Sequence, residues 1–157
     1  NENNNPHERK LPNGNKKKNK RRPLKFFEKT CMFYYYKKNM PVNLLDNIFS
    51  IEHIIPFSSE WEGNLDQDRT GNLFPILAKL NSSRGNKHIN WYKKSSEGKN
   101  FYEFVKDVIP SDEEYDNIIE YNNKPIVKDN DMYNKMCKKN EGIYIDCMIS
   151  HFRMLKM

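Results

Sequence analysis

From Leu24 onward, hydrophobic side chains come in short runs, each cut by a turn-former or a charged stretch. The run KFFEKTCMFYYYKKNM (25–40) holds many large apolar residues and meets no Gly or Pro until Pro41. It predicts a helix over about 24–38, packed through Phe27, Cys31, Tyr34 and Tyr35, with a strand as the alternative for so aromatic a cluster. FSIEHII (49–55), bounded by Asn47 and Pro56, is rich in β-formers and predicts a strand. A polar loop runs from Phe57 to Gly71, followed by the short apolar NLFPI. Pro75 has no N–H to give to a ladder, so this segment is expected as an edge strand or the end of a hairpin. LAKLNSSRG (77–85) contains helix-formers and stops at Gly85, the pattern of a short helix with a glycine C-cap.

Further on, the pattern predicts a helix near 100–108 and another opened by Ser111, with Glu114 three residues later as in a capping box. A last helix is expected over about 129–155, with Met132, Met136, Ile143, Cys147 and Phe152 as core contacts. No internal repeat is present. The expected fold class is α+β: a hairpin-plus-helix core over about 48–90 in a mostly helical domain (24–157), with residues 91–157 all helical.

Residues 1–23 break this pattern. They are rich in Asn, Lys and Arg, carry almost no apolar side chains, and are interrupted by Pro6, Pro12, Gly14 and Pro23. They read as a flexible segment or linker until bound to something. The charge is divided accordingly. Residues 1–25 hold nine Lys/Arg against Glu2 and Glu8, while residues 26–157 hold eighteen against nineteen Asp/Glu. The net +6 of the 157-residue chain therefore belongs to its first segment, which suits a polyanion such as nucleic acid. A mean hydropathy of −0.99 and the lack of any long apolar run give no expectation of a membrane partner. Cys31, Cys137 and Cys147 are odd in number and form no CxxC pair, which argues against a zinc ribbon or a disulfide framework and for reduced thiols in an intracellular, cytoplasmic protein. The start at Asn1 predicts a piece of a longer protein or a processed product.

The chemistry gathers in four places: Glu52-His53, the GNL at 71–73, Asn81, and Arg84-Gly85-Asn86-Lys87. Hydrolysis of a phosphodiester needs a base for water and a cation for the charge on the phosphorus oxygens. Histidine titrates near neutrality and suits the first task. Mg²⁺ keeps several waters, so one carboxylate and one amide oxygen suffice as protein ligands. Glu52 and Asn81 are candidates for that pair if the strand ends or twists near Pro56.

These residues resemble the HNH, or ββα-metal, nuclease family. IEHIIP resembles its first strand, GNLFPIL its central Asn-Leu motif, and LNSSRGNK its helix, with the family's nine-residue step between Asn72 and Asn81. The likeness is closest to the HNH domains of GmrSD-type modification-dependent restriction nucleases, and the HNH domain of RNA-guided CRISPR nucleases is similar in the same three places. It covers about residues 48–90. It implies a ββα-metal core in which His53 is the general base, Glu52 and Asn81 hold a single Mg²⁺ or Mn²⁺, and Asn72 hydrogen-bonds across the hairpin to orient the His53 ring. Arg84 and Lys87 would contact phosphates. Asn86 and His88 are alternative ligands to Asn81. Glu52 stands where many relatives carry Asp, one methylene shorter, and the supporting cysteine pairs of some relatives are absent.

The implied function is a metal-dependent DNA endonuclease within a larger restriction or defence protein, with further domains or subunits as partners. Lys16, Lys17, Lys18, Lys20, Arg21 and Arg22 would add nucleic-acid contacts. Two other readings stay open: a non-cleaving nucleic-acid-binding module that uses the basic residues 9–25, and an RNase on the same scaffold. His7 and His151 are read as non-functional, and the DQDR at 66–69 as a solvated loop.

Overall fold

Among the described residues, three two-stranded antiparallel ladders, each followed by a helix, give a mixed α+β character. The computed structural model describes residues 8–10, 16–18, 22–40, 49–61 and 63–156. The first ladder joins β1 (Glu8–Lys10) to β2 (Lys16–Lys18), with Arg9 opposite Lys17. Part of the segment expected to be flexible is thus paired backbone.

Helix α1 (Phe26–Asn39) settles the ambiguity of the aromatic run in favour of helix. Glu28 in its first turn and Lys37 and Lys38 in its last complement the helix dipole. Its buried stripe is Cys31, Met32, Tyr35 and Tyr36, one residue offset from the expected face. Phe27 is 52% exposed and Tyr34 only half-buried. A helix apolar on every side carries no phase, so packing decides which face turns inward.

The second ladder pairs β3 (Phe49–His53) with β4 (Leu73–Leu77), in a register that sets Ile51 opposite Pro75 and His53 opposite Leu73. With only two strands both edges are outer edges, and the proline is tolerated. The chain passes directly into α2 (Ala78–Arg84), which buries Leu80 and ends at Gly85. Gly85 has φ +57°, and its N–H donates to the Asn81 carbonyl, as expected of a glycine C-cap.

Next come α3 (Trp91–Lys94), α4 (Lys99–Val105) and α5 (Asp112–Ile118), the last capped by Ser111, whose hydroxyl accepts from the Glu114 N–H. Residues 91–157 are not all helical. A third ladder, β5 (Ile119–Asn122) with β6 (Lys124–Val127), turns at Asn123, which adopts φ 62°. Glu60 bonds this ladder from the other side, donating to Pro125 O and accepting from Val127 N–H. Asn tolerates the left-handed conformation, and Asn-Asn flanked by β-formers was the available signal.

Helix α6 (Asn130–Leu155) opens on Asp129, which accepts from the Met132 N–H. It buries Tyr133, Met136, Cys137, Asn140, Tyr144 and Cys147. Met132 and Ile143 lie at the core margin, whereas Phe152, expected inside, is 46% exposed. All three cysteines are buried free thiols. Among the described residues no helix is long and apolar enough to cross a membrane.

One contact fixes the loop before β4 to α6. The short 3-10 turn Thr70–Asn72 packs so closely that a Cβ on Gly71 would lie 1.9 Å from the Cys137 carbonyl oxygen. The Asn140 Nδ2 donates to both Gly71 O and Val108 O at 2.9 Å, and the Tyr144 hydroxyl donates to Leu73 O. Gly71→Ala is therefore expected to lower stability by about 3 kcal/mol, since neither backbone can give way, and urea unfolding checks it. A loss under about 0.5 kcal/mol would show the contact to be looser.

Candidate functional site

Glu52 and His53 sit at the end of β3 and are both buried, 4% and 8% exposed. The Glu52 carboxylate accepts from the His53 N–H (Oε1, 2.9 Å) and from the Tyr92 hydroxyl (Oε2, 2.7 Å). Burial pushes its pKa above the ordinary carboxylate range, opposed by the Arg84 guanidinium and these two donors. The Tyr92 phenol is also pushed up, first by burial and then by the charge on Glu52.

Arg84 is the neighbour that sequence reasoning misplaced. It is not a phosphate contact: it is fully buried, and its guanidinium donates inward to His53 O (2.6 Å), Ile54 O (2.9 Å), Lys87 O (2.9 Å) and the Tyr115 hydroxyl (3.3 Å). Its Nη1 lies 3.6 Å from Glu52 Oε1. A buried cation needs an anion and acceptors around it, and here the strand end supplies both.

The His53 ring is oriented by Asp68, with Nε2 2.8 Å from Asp68 Oδ1. A carboxylate beside Nε2 assigns the proton to that nitrogen and leaves Nδ1 as the basic one. Asp68 and Gln67 are buried, so the DQDR segment is not a solvated loop. Asp66 shapes the turn by accepting the Asp68 N–H at 3.0 Å. Sequence reasoning missed Asp68; an Asp two residues after another, in a turn that can fold back on β3, was the only signal, and a weak one.

Asn72 does not touch the His53 ring. Its side chain is fully buried, with Oδ1 accepting from Ile55 N–H (2.8 Å) and Nδ2 donating to Ile55 O (3.1 Å) and Gln67 O (2.9 Å). It staples the chain leaving β3 to the residue before Asp68. The expected bond across the hairpin is therefore present, made to the Ile55 backbone, while no bond to the His53 ring accompanies it.

A cleft of about 530 Å³ opens over these residues, lined by Glu52, His53, Asn81 and Asn86 together with Ser50, Ile51, Pro56, Phe57, Ser58 and Gly85. The Asn81 Nδ2 donates to Ser50 Oγ (3.0 Å) and Ile51 O (3.1 Å), and its amide oxygen accepts nothing among the described residues. One carboxylate with spare lone pairs and one free amide oxygen fit a hard divalent cation that keeps several waters. Among the described residues no group of three or more His, Cys, Asp or Glu gathers as a ready cage. His88 does not join the cleft as a ligand: Nε2 is 2.7 Å from Asp116 Oδ1 and Nδ1 accepts the Asn90 N–H.

Of the basic candidates, Lys87 is exposed, donates to Ser83 O and lies 5.8 Å from the Trp91 ring centre. The backbone of Lys16, Lys17 and Lys18 forms β2. Lys20 and Arg21, and also His7, lie outside the described residues. Arg22 is not available to a phosphate as expected, because its guanidinium is forked onto Glu28 and also reaches Asp66. His151 packs its ring against Tyr34. Comparisons with protein-family models, with curated proteins and with solved structures give no match for this chain.

Proposed function

We propose that this chain is a metal-dependent HNH endonuclease domain with a ββα-metal core, hydrolysing DNA phosphodiester bonds inside the cell as part of a larger restriction or defence protein. The observation that carries the reading is a histidine held by a buried carboxylate through Nε2, in a cleft that Glu52 and Asn81 also line. His53 Nδ1 takes the proton of the attacking water. Asp68 holds the ring in the productive tautomer and stabilises the imidazolium that forms. Glu52 and Asn81 would hold the divalent cation, which when bound supplies positive charge to the phosphate and the leaving oxygen. Lys87 at the nearby helix end offers a phosphate contact. Buried reduced thiols suit an intracellular setting.

The test is nicking of supercoiled plasmid in Mg²⁺ or Mn²⁺, with RNA of matched sequence alongside. Cleavage of DNA supports the reading, cleavage of RNA alone moves it to a ribonuclease on the same scaffold, and cleavage of neither in any divalent cation sinks it. One observation favours the second reading, a nucleic-acid-binding module that does not cleave: Glu52 already carries two hydrogen bonds and a guanidinium 3.6 Å away. Calorimetric titration with Mn²⁺ separates the two, since the module would take up no ion. Within the nuclease reading, Asp68→Asn is expected to lower kcat by about 10²- to 10⁴-fold with KM little changed, because an amide facing Nε2 can reverse the tautomer. Steady-state nicking kinetics give that split.

A further inference from the structure

Asp68 has two carboxylate oxygens, and both are anchored: Oδ1 faces His53 Nε2, and Oδ2 accepts the backbone N–H of Arg22 at 2.9 Å. We propose that Arg22 is a positioning residue for His53, acting through Asp68. The proposal rests on the nuclease reading above.

A carboxylate turns easily about its last torsion, so a single hydrogen bond leaves its plane loose; a second anchor fixes it. That anchor is only as firm as the backbone of Arg22, and the Arg22 side chain is what makes it firm. Its Nη1 and Nη2 fork onto Glu28 Oε2 and Oε1 at 2.9 and 2.6 Å, its Nη2 also donates to Asp68 O at 2.8 Å, and its Nε to Asp66 Oδ2 at 3.2 Å. Glu28 is itself held by the Lys25 N–H at 2.7 Å and the Thr70 hydroxyl at 2.8 Å. Arg22 pulls the Glu28 carboxyl down to about 2, so the fork stays ionised at any working pH. Arg22 therefore touches the Asp68 turn at three points and α1 at a fourth. Lysine would deliver the charge without the planar fork.

The nearest basic residues that precede Arg22 in the sequence are Lys16, Lys17, Lys18, Lys20 and Arg21, with Asn19 among them. The arrangement differs from a surface arginine that merely adds to affinity: loss of Arg22 falls on the catalytic step.

The experiment uses the full chain and compares wild type with Arg22→Ala, Arg22→Lys, Glu28→Gln and the Arg22→Ala/Glu28→Gln double variant. Plasmid nicking kinetics are read together with ¹⁵N NMR of the His53 ring, assigned by its loss in His53→Ala. Arg22→Ala and Glu28→Gln are each expected to lower kcat by about 10- to 100-fold with KM changed far less, and the double variant to fall no further than either single one. Arg22→Lys is expected to recover part of the rate. In the spectra, wild-type His53 shows an unprotonated Nδ1, and Arg22→Ala shows a mixture of tautomers. A wild-type kcat and an unchanged ring spectrum in Arg22→Ala would overturn the proposal, as would a loss confined to KM. If the wild type nicks nothing, the nuclease reading fails, and the ring spectrum still decides whether Arg22 sets the tautomer.

Discussion

His53→Ala is expected to lower plasmid nicking by about 10²- to 10⁴-fold while leaving DNA affinity nearly intact, the loss typical of a general base. The imidazole carries no bond to the fold that a water cannot partly replace, apart from the one to Asp68. Its ring otherwise lies against Phe57, 5.5 Å between centres. The variant leaves Asp68 without its ring donor, so some stability is lost as well, and urea unfolding must accompany the kinetics. Folded protein at the assay temperature with binding retained and cleavage gone is the expected result. Activity within about tenfold of wild type would remove His53 from the mechanism, because a base is worth more than that.

Arg84→Leu is expected to cost about 3–5 kcal/mol of stability, at least as much as the Gly71 change. The substitution leaves Glu52 buried beside an apolar group and strips donors from His53 O, Ile54 O and Lys87 O. Arg84→Lys is not a rescue, since one ammonium cannot span carbonyls on two sides of the strand end. Replacing both charges, as in Arg84→Leu with Glu52→Leu, is expected to recover part of the loss by removing the unpaired carboxylate. Urea unfolding of the two singles and the double supplies the cycle. If Arg84→Lys unfolds at the wild-type denaturant midpoint and binds DNA more weakly, Arg84 faces the nucleic acid after all.

The elements that sequence pattern located are those whose signals are local. The β-branched run of β3 ends at Pro56, α2 ends at Gly85, and Ser111 and Asp129 cap their helices, each through atoms a few residues away. Glu52, His53 and Asn81 line one cleft for the same reason, since a hairpin leading straight into a helix leaves few arrangements. The partners of these residues were not legible. Asp68 looks like any loop aspartate until the loop folds back fifteen residues onto His53. Arg84 and Arg22 read as surface cations because charge normally marks surface, and their burial or clamping depends on Tyr115, Glu28 and Asp66 arriving from elsewhere. Asn72 bonds across the hairpin as expected, but to the Ile55 backbone and without orienting the His53 ring, a distinction that sequence spacing does not carry.

The seat of Gly71 on α6 carries a consequence for the order in which the molecule is made. A ribosome releases residues 49–85 before it has synthesised Cys137, Asn140, Glu141 and Tyr144, the groups that receive the turn before β4. A nascent chain can close the hairpin and its following helix early, and can pair Asp68 with Arg22 and Asn72 with Ile55, but the seat of Gly71 is made only when the last long helix is out. The turn that carries Asp68 can therefore make its own hydrogen bonds early, yet it is locked against α6 only when synthesis of residues 137–144 is complete.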